Sequence, residues 1–330
     1  MNNLALISSP GQYYTLLEYL FIADLNKNDF YLIFFDNNLN PESTSFFNDI
    51  NKQDQWGNIS FFHYWKPKDN IVLKIFSFLK LIIFIQKIPP IKFCKLVCSQ
   101  LDNNYILQII NSLYYEEVVN LDEGNAIYIT IKKRKKNNKK KFFHYFGYKN
   151  YFPEKITFFT SYPNIEITNN DKILLCENDF AKDCLKNHPV DSDTLMIVGQ
   201  PFVKIGFMSA DKYYNYLLNI INQHSDIQEY HYSMHRNEDI KDVTFFCNQL
   251  GLKIVKNNLP IEMEIINMDV IPKYFIGFNS AALLNIRKIL PKQIDVFAIR
   301  LYESDISVNY ADSKFDEIYE VFKNNNIIIH

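Results

Sequence analysis

Three short segments, far apart in the 330-residue chain, carry side chains whose chemistry is complementary. Asp122-Glu123-Gly124 follows the apolar run from Val118 to Leu121, and paired carboxylates can raise one another's pKa until one serves as a general base. His235-Arg236 follows the strand-like Glu229 to Tyr232, where an imidazolium could donate to a departing phosphate oxygen beside a guanidinium. Asn279-Ser280 stands at the mouth of a helical pattern that opens at Ala281, where unpaired amides and the helix dipole attract an anion. A base, a cationic partner and an anion cradle together suit the removal of a group from a phosphate-activated donor. Each segment also has a plain reading: an acidic turn, a structural histidine and an ordinary helix cap.

Weaker signals occupy similar positions. Gly199-Gln200-Pro201 leaves a strand through a turn, and Glu262 in Leu259-Pro260-Ile261-Glu262 offers a carboxylate able to accept two ribose hydroxyls. Ser9 and Gln12 follow the first strand, where they suit an acceptor sugar or simply a strand-to-helix loop, and Asp211 precedes a helical pattern as a further candidate base. His224, His231 and His235 are spaced by seven and four residues without the carboxylates of a metal site.

These residues need a scaffold that brings strand ends together. Short apolar runs (Leu4–Ile7, Phe30–Phe35, Ile59–Tyr64, Glu117–Leu121) alternate with amphipathic ones such as Tyr14–Leu25, and a similar series follows from Lys155 onward. That alternation predicts an α/β protein with parallel sheets covered by helices. Its length fits two domains of about 150 residues. The boundary is expected in the aromatic, turn-rich stretch, giving domains 1–155 and 156–330 with ligands at strand C-terminal ends in a cleft between them. Neither G-x-G-x-x-G nor G-x-x-x-x-G-K-[ST] occurs, which argues against dehydrogenase and P-loop chemistry.

A net charge of −2 argues against a nucleic-acid binder. Five cysteines without a compact framework suggest reduced thiols in a cytoplasmic protein. The apolar stretch Ile71–Ile88 is interrupted by Lys74 and Lys80, so it reads as a core helix or one lying on a membrane rather than crossing it. Eight basic residues between Lys132 and Lys141 form either a solvated helix end or a contact for the inner face of a cell membrane.

In order along the chain, Asp122-Glu123-Gly124, Gly199-Gln200-Pro201, His235, Pro260-x-Glu262 and Asn279-Ser280-Ala281 resemble the motif series of bacterial lipooligosaccharide and capsule sialyltransferases, glycosyltransferase family 52, relatives of the bacterial polysialyltransferases. His235 is followed by Arg236 where the family has proline, and the literal His188-Pro189 lies out of order. Only one serine, Ser280, stands where some relatives have two adjacent hydroxyls.

The resemblance implies a GT-B fold of two Rossmann-like domains facing across a cleft. It also implies inverting transfer from CMP-sialic acid, or another CMP-nonulosonate, to a glycan acceptor that can be lipid-linked. By that likeness Asp122 is the base, with Glu123 and Asp211 as fallbacks, and His235 meets the leaving phosphate. Arg236, Phe278, Asn279, Ser280 and Ala281 join Gly199, Gln200, Pro201 and Glu262 around CMP, while Ser9 and Gln12 touch the acceptor. No metal or other cofactor is expected, and the oligomeric state, a homodimer among the options, stays open. A donor carrying UDP or GDP, and a non-enzymatic membrane-associated partner in polysaccharide assembly, stay open as alternatives.

Overall fold

The computed structural model describes residues 2–330 except 37–45, 49, 51–54, 64–70, 123–125, 137–148, 150, 169, 257–258 and 308–314. The chain divides into two compact units, Met1–Phe180 and Ala181–His330.

In the first unit seven parallel strands are ordered β3-β2-β1-β4-β5-β6-β7. They are β1 (Asn3–Ile7), β2 (Phe30–Asp36), β3 (Asn58–His63), β4 (Lys92–Cys98), β5 (Tyr114–Leu121), β6 (Thr157–Thr160) and β7 (Lys172–Leu175). Every residue of β1 is buried, as expected of a central parallel strand covered on both faces. The connecting helices include α1 (Pro10–Ile22), α2 (Ile71–Ile85), α3 (Asn104–Ile110) and α4 (Ala126–Lys136). Leu81 of α2, Ile106, Leu107 and Ile110 of α3, and Ile127 and Ile131 of α4 share one core cluster with Leu4, Leu6 and Leu96 of the sheet. Each such side chain, once fully buried, stabilises by about 1.5–3 kcal/mol.

The second unit holds a parallel sheet ordered β10-β9-β8-β11-β12-β13. Its strands are β8 (Val190–Val198), β9 (Glu229–Met234), β10 (Lys253–Lys256), β11 (Ile271–Gly277), β12 (Asp295–Ala298) and β13 (Ile328–Ile329). After α5 (Asp179–Leu185), its helices are α6 (Ala210–Gln223), α7 (Ile240–Leu250), α8 (Ile261–Ile266), α9 (Ala281–Ile289) and α10 (Phe315–Asn324). Each sheet grows outward from its first strand, then returns to that strand's other side, so direction reverses between β1 and β4 and between β8 and β11. Such reversals leave a crevice beyond the strand ends, because the loops on either side diverge.

The boundary differs from the expected 155/156. β6 joins β5 through Val119↔Thr157 and β7 joins β6, so both strands expected in the second domain complete the first sheet. The stretch read as a linker lies within a β5–α4–β6 crossover, and strands of four residues do not announce which sheet they join.

The basic run is also less free than its composition suggests. Arg134 is buried, with Nε and Nη2 donating to Asp171 at 2.8 and 2.7 Å, and Nη1 and Nη2 donating to the Pro153 and Glu154 carbonyls. Lys133 pairs with Asp102 and Lys135 with Glu166, while Lys139, Lys140 and Lys141 lie outside the described residues. The five cysteines form no disulfide, and among the described residues no helix is long and apolar enough to cross a membrane.

Candidate functional site

The second sheet's reversal point gathers three of the sequence-derived segments. Register pairs Val198 with Ser233 and Ile276 with Ile197, so Gly199, His235 and Phe278-Asn279-Ser280 leave the same end of three adjacent strands, β9, β8 and β11. A parallel strand with a helical crossover delivers its loop to that end every time, which is how residues 80 positions apart become neighbours.

Beneath the β8 and β9 ends runs a buried chain of polar groups. The Gln200 amide donates to Tyr213 Oη at 3.2 Å, the Tyr213 and Tyr232 hydroxyls lie 2.7 Å apart, and Tyr232 Oη donates to Glu238 Oε1 at 2.6 Å. Glu238 Oε2 accepts the His235 backbone N–H at 2.7 Å. Because Tyr232 gives its proton to Glu238, Tyr213 must be the donor between the two phenols, so the bonds run in one direction from Gln200 to the carboxylate. Burial pushes Glu238 up to about 7, against the opposing pull of the Tyr232 and His235 hydrogen bonds. Burial also raises both tyrosines, which keeps them protonated donors.

Gly199 is demanded by this chain. A Cβ there would lie 2.5 Å from Glu238 Oε2 and 2.7 Å from Tyr232 Oη, closer than any side chain permits. Its amide donates to the Ser233 carbonyl at 2.9 Å, which holds the turn against β9. Ser233 Oγ in turn donates to Glu264 Oε2 at 3.2 Å.

His235 is half-buried, and its Nδ1 accepts the Asn237 N–H at 3.1 Å. That contact places the proton of the neutral ring on Nε2. Burial, and after it the Arg236 charge, hold the imidazole below its ordinary pKa. A ring held below its ordinary value is mainly neutral at pH 7, with Nε2–H as its donor, and an anion bound beside it would raise its proton affinity towards the imidazolium. Arg236 itself is exposed.

At the third strand end, Ser280 caps α9, its Oγ accepting from the Ala282 amide at 3.2 Å. Ala281 is exposed at the first helical position. Phe278 is fully buried, its ring packed on Phe202, Tyr213 and Tyr216 at centroid distances of 5.4, 5.5 and 6.0 Å. Its side chain belongs to the core and leaves only backbone for a ligand.

Glu262 is buried on α8, where its Oε1 accepts from Asn285 Nδ2 of α9 at 2.5 Å and burial pushes its carboxyl up. It ties the two helices together. Asp211 is exposed in the first turn of α6, beyond the Ser209 cap. A shallow, open depression lies beside Gln200 and Pro201, with Lys204, Glu238, Asp239 and Asp242 on its walls. Three carboxylates against one ammonium make that pocket a poor phosphate seat.

In the first unit Asp122 follows β5 and is clasped by the end of β6. Its Oδ2 accepts from Thr160 Oγ1 at 2.8 Å and from the Ser161 amide at 3.2 Å, and its own amide donates to the Phe159 carbonyl. Glu123 lies outside the described residues. Ser9 caps α1 by accepting the Gln12 N–H, and Gln12 Oε1 accepts from the Ser8 amide at 2.6 Å and the Ser8 hydroxyl at 3.1 Å. Gln12 is thus a buried brace of the β1–α1 turn rather than an exposed contact for a sugar.

The three histidines raised as metal ligands separate: His231 meets Glu229 while the His224 ring packs near Tyr274 and His330. Among the described residues no group of three or more His, Cys, Asp or Glu side chains could hold a metal ion. Sequence reading passed over Tyr213, Tyr232, Glu264 and the role of Glu238. Only Glu238 carried a signal, an acid three residues after His235 that closes the turn through the His235 and Glu238 amides.

No family model and no curated sequence matches the chain. Among solved structures, the UDP-GlcNAc 2-epimerase of Methanocaldococcus jannaschii aligns over 100% of this chain and 89% of its own at 11% identity, with a TM-score of 0.51. Acinetobacter baumannii MurG aligns over 100% of this chain and 86% of its own at 8% identity and a TM-score of 0.46. Escherichia coli heptosyltransferase WaaC with ADP aligns over 98% of this chain and 100% of its own at 9% identity and a TM-score of 0.47. The fold is the two-domain α/β architecture of the GT-B class.

Proposed function

We propose that the chain is an inverting glycosyltransferase that moves sialic acid, or a related nonulosonic acid, from its CMP derivative to a hydroxyl of a surface glycan. The observation that carries this is the convergence of Gly199, His235 and the Asn279-Ser280-Ala281 helix start on one end of three adjacent strands. Arg236 is the cation of this set, a charge that suits one phosphate better than two.

In this account the amides opening α9 and the Ser280 hydroxyl hold the CMP phosphate, with Arg236 beside it. His235 offers Nε2–H to the phosphate oxygen that leaves, stabilising the second negative charge that develops on CMP as its bond to the anomeric carbon breaks. Gly199, Gln200 and Pro201 line the cytidine, and Glu262 stands by the ribose. Asp122 removes the acceptor hydroxyl proton while that oxygen bonds to the anomeric carbon. The anomeric carbon–oxygen bond to phosphate breaks on the opposite face, its electron pair leaves with CMP, and configuration inverts. Charge stabilisation comes from the helix start, His235 and Arg236, so turnover should persist with a chelator present.

The test is a donor screen with excess chelator: CMP-sialic acid and its bacterial CMP-nonulosonate analogues against UDP- and GDP-sugars, with lipooligosaccharide and capsular oligosaccharides as acceptors. Transfer from a CMP donor with inverted product geometry by NMR is expected. Transfer only from a nucleoside-diphosphate sugar would replace the donor class, and absence of transfer or hydrolysis with all donors would overturn the enzymatic reading.

A further inference from the structure

α2 inverts the usual distribution of a surface helix. Leu81 is buried in the core and Phe84 and Ile85 pack against it, while Ile75, Phe76, Leu79 and Ile83 are 55%, 61%, 51% and 57% exposed. At about 100° per residue these four fall within about 100° of arc, with Lys80 roughly 40° beyond. The only uncharged polar residue on the helix, Ser77, is turned inward and buried. A solvated helix would carry its charges on that outer arc, and a contiguous outer stripe of large apolar side chains marks an interaction surface.

Charge identifies what covers it. From Ile71 to Leu101 the sequence contains Lys74, Lys80, Lys87, Lys92 and Lys95 and no aspartate or glutamate. Lys92 and Lys95 are engaged by Glu116 and Glu117 of β5, and Lys80 on the helix and Lys87 just past its end are exposed at the surface. Ile91, in the turn before β4, is a further exposed apolar side chain, 39% accessible. Apolar side chains bordered by lysine ammonium groups match the boundary between acyl chains and anionic headgroups, where the stripe enters the hydrocarbon and the lysines stay at phosphate level. A second copy of this chain would set lysine against lysine along the same stripe.

We propose that the outer arc of α2, with Ile75, Phe76, Leu79 and Ile83 as its inserting side chains and Lys80 and Lys87 at its margin, docks the first domain on an anionic lipid surface. The basic run on α4, first suspected of this role, has Arg134 buried and Lys133 and Lys135 paired within the domain. The docking surface uses no residue of the candidate nucleotide site, so it stands or falls separately from the donor assignment.

The test is co-sedimentation of the full chain with phosphatidylcholine vesicles, with and without phosphatidylglycerol. Wild type should bind the anionic vesicles at least about tenfold more strongly than the neutral ones, with part of that gain lost at high salt. The variant Ile75→Ser/Leu79→Ser/Ile83→Ser should lose about tenfold or more in binding while keeping its thermal transition, since the altered side chains are exposed. Lys80→Glu/Lys87→Glu should remove the preference for anionic vesicles. Failure of wild type to bind anionic vesicles, or unchanged binding by the triple-serine variant, would overturn the proposal. So would sedimentation of wild type as a dimer that the triple-serine variant converts to a monomer, because the stripe would then belong to a second copy.

Discussion

The two sheets share a strand order through their first six strands, yet their reversal points are built differently. Between β8 and β11 the chain opens: Gly199 brings backbone against a buried carboxylate, and the helix start at Ser280 faces the same end. After β1 it closes: Gln12 folds back on Ser8, and Ser9 is consumed in capping α1. The proposed base of the first sheet, Asp122, stands two strands away from β1, braced by Thr160 and Ser161. Shared topology therefore fixes where loops emerge, while a few buried hydrogen bonds decide which loop end remains available to a ligand.

Breaking each side at its proposed chemical centre should give the largest effects. His235→Ala and Asp122→Asn should each lower kcat by about 10²- to 10⁴-fold, the range of general acid–base groups, with KM for the donor changed far less. A loss confined to KM in either variant would remove that residue from the chemical step.

The glycines offer the next contrast. Gly199→Ala drives a methyl group into Glu238 and Tyr232, and a clash of that kind typically costs about 1–3 kcal/mol, visible as a lowered Tm and weakened CMP binding. At Gly11, the nearest atom to an added Cβ is Ser9 Oγ at 3.9 Å, so Gly11→Ala in the first turn of α1 should leave Tm unchanged or raise it. Equal responses at the two positions would erase the difference between the two loop ends.

Glu238→Gln sharpens the comparison through pH. The Glu238 pKa is raised from 4.5 to about 7, so the folded state holds a proton that the unfolded state releases. Its contribution to stability is complete below the unfolded value and is lost as pH rises through about 7. Urea unfolding of wild type across that window should therefore show a decline that Glu238→Gln flattens. A parallel decline in the variant would assign the effect elsewhere.

Gln12→Ala should produce the smallest change. Removing the acceptor for Ser8 costs about 1 kcal/mol of stability and leaves nucleotide affinity as it was.

Much of the scaffold is visible in the apolar runs. The expected strands Phe30–Phe35 and Ile59–Tyr64 fall within one residue of β2 and β3; β2, flanked by β1 and β3 and buried on both faces, is continuously hydrophobic, while the half-exposed edge strand β3 is legible from its apolar run alone. Strand-end logic also places Gly199, His235 and Ser280 beyond strand C-terminal ends, and the register of β9, β8 and β11 brings those ends side by side. The domain boundary escapes, since β6 and β7 are four residues each and the aromatic, turn-rich stretch before them looks like a linker. The relay escapes too. Tyr213 reads as an ordinary apolar position of α6 and Tyr232 as an ordinary strand residue, and only folding places their hydroxyls 2.7 Å apart. Arg134 is likewise indistinguishable from its lysine neighbours until Asp171, 37 positions later, reaches it. Local periodicity is written in neighbouring residues, whereas buried polar pairing depends on contacts made across crossovers.

The most direct measurement is calorimetric titration of CMP, UMP and GDP, with chelator present, into wild type and His235→Ala at two pH values. The account predicts selective binding of CMP, proton uptake as the phosphate raises the His235 pKa, tighter binding at the lower pH, and loss of that proton uptake in the variant. Tighter binding of GDP than of CMP, or CMP binding with identical proton uptake in both proteins, would contradict it.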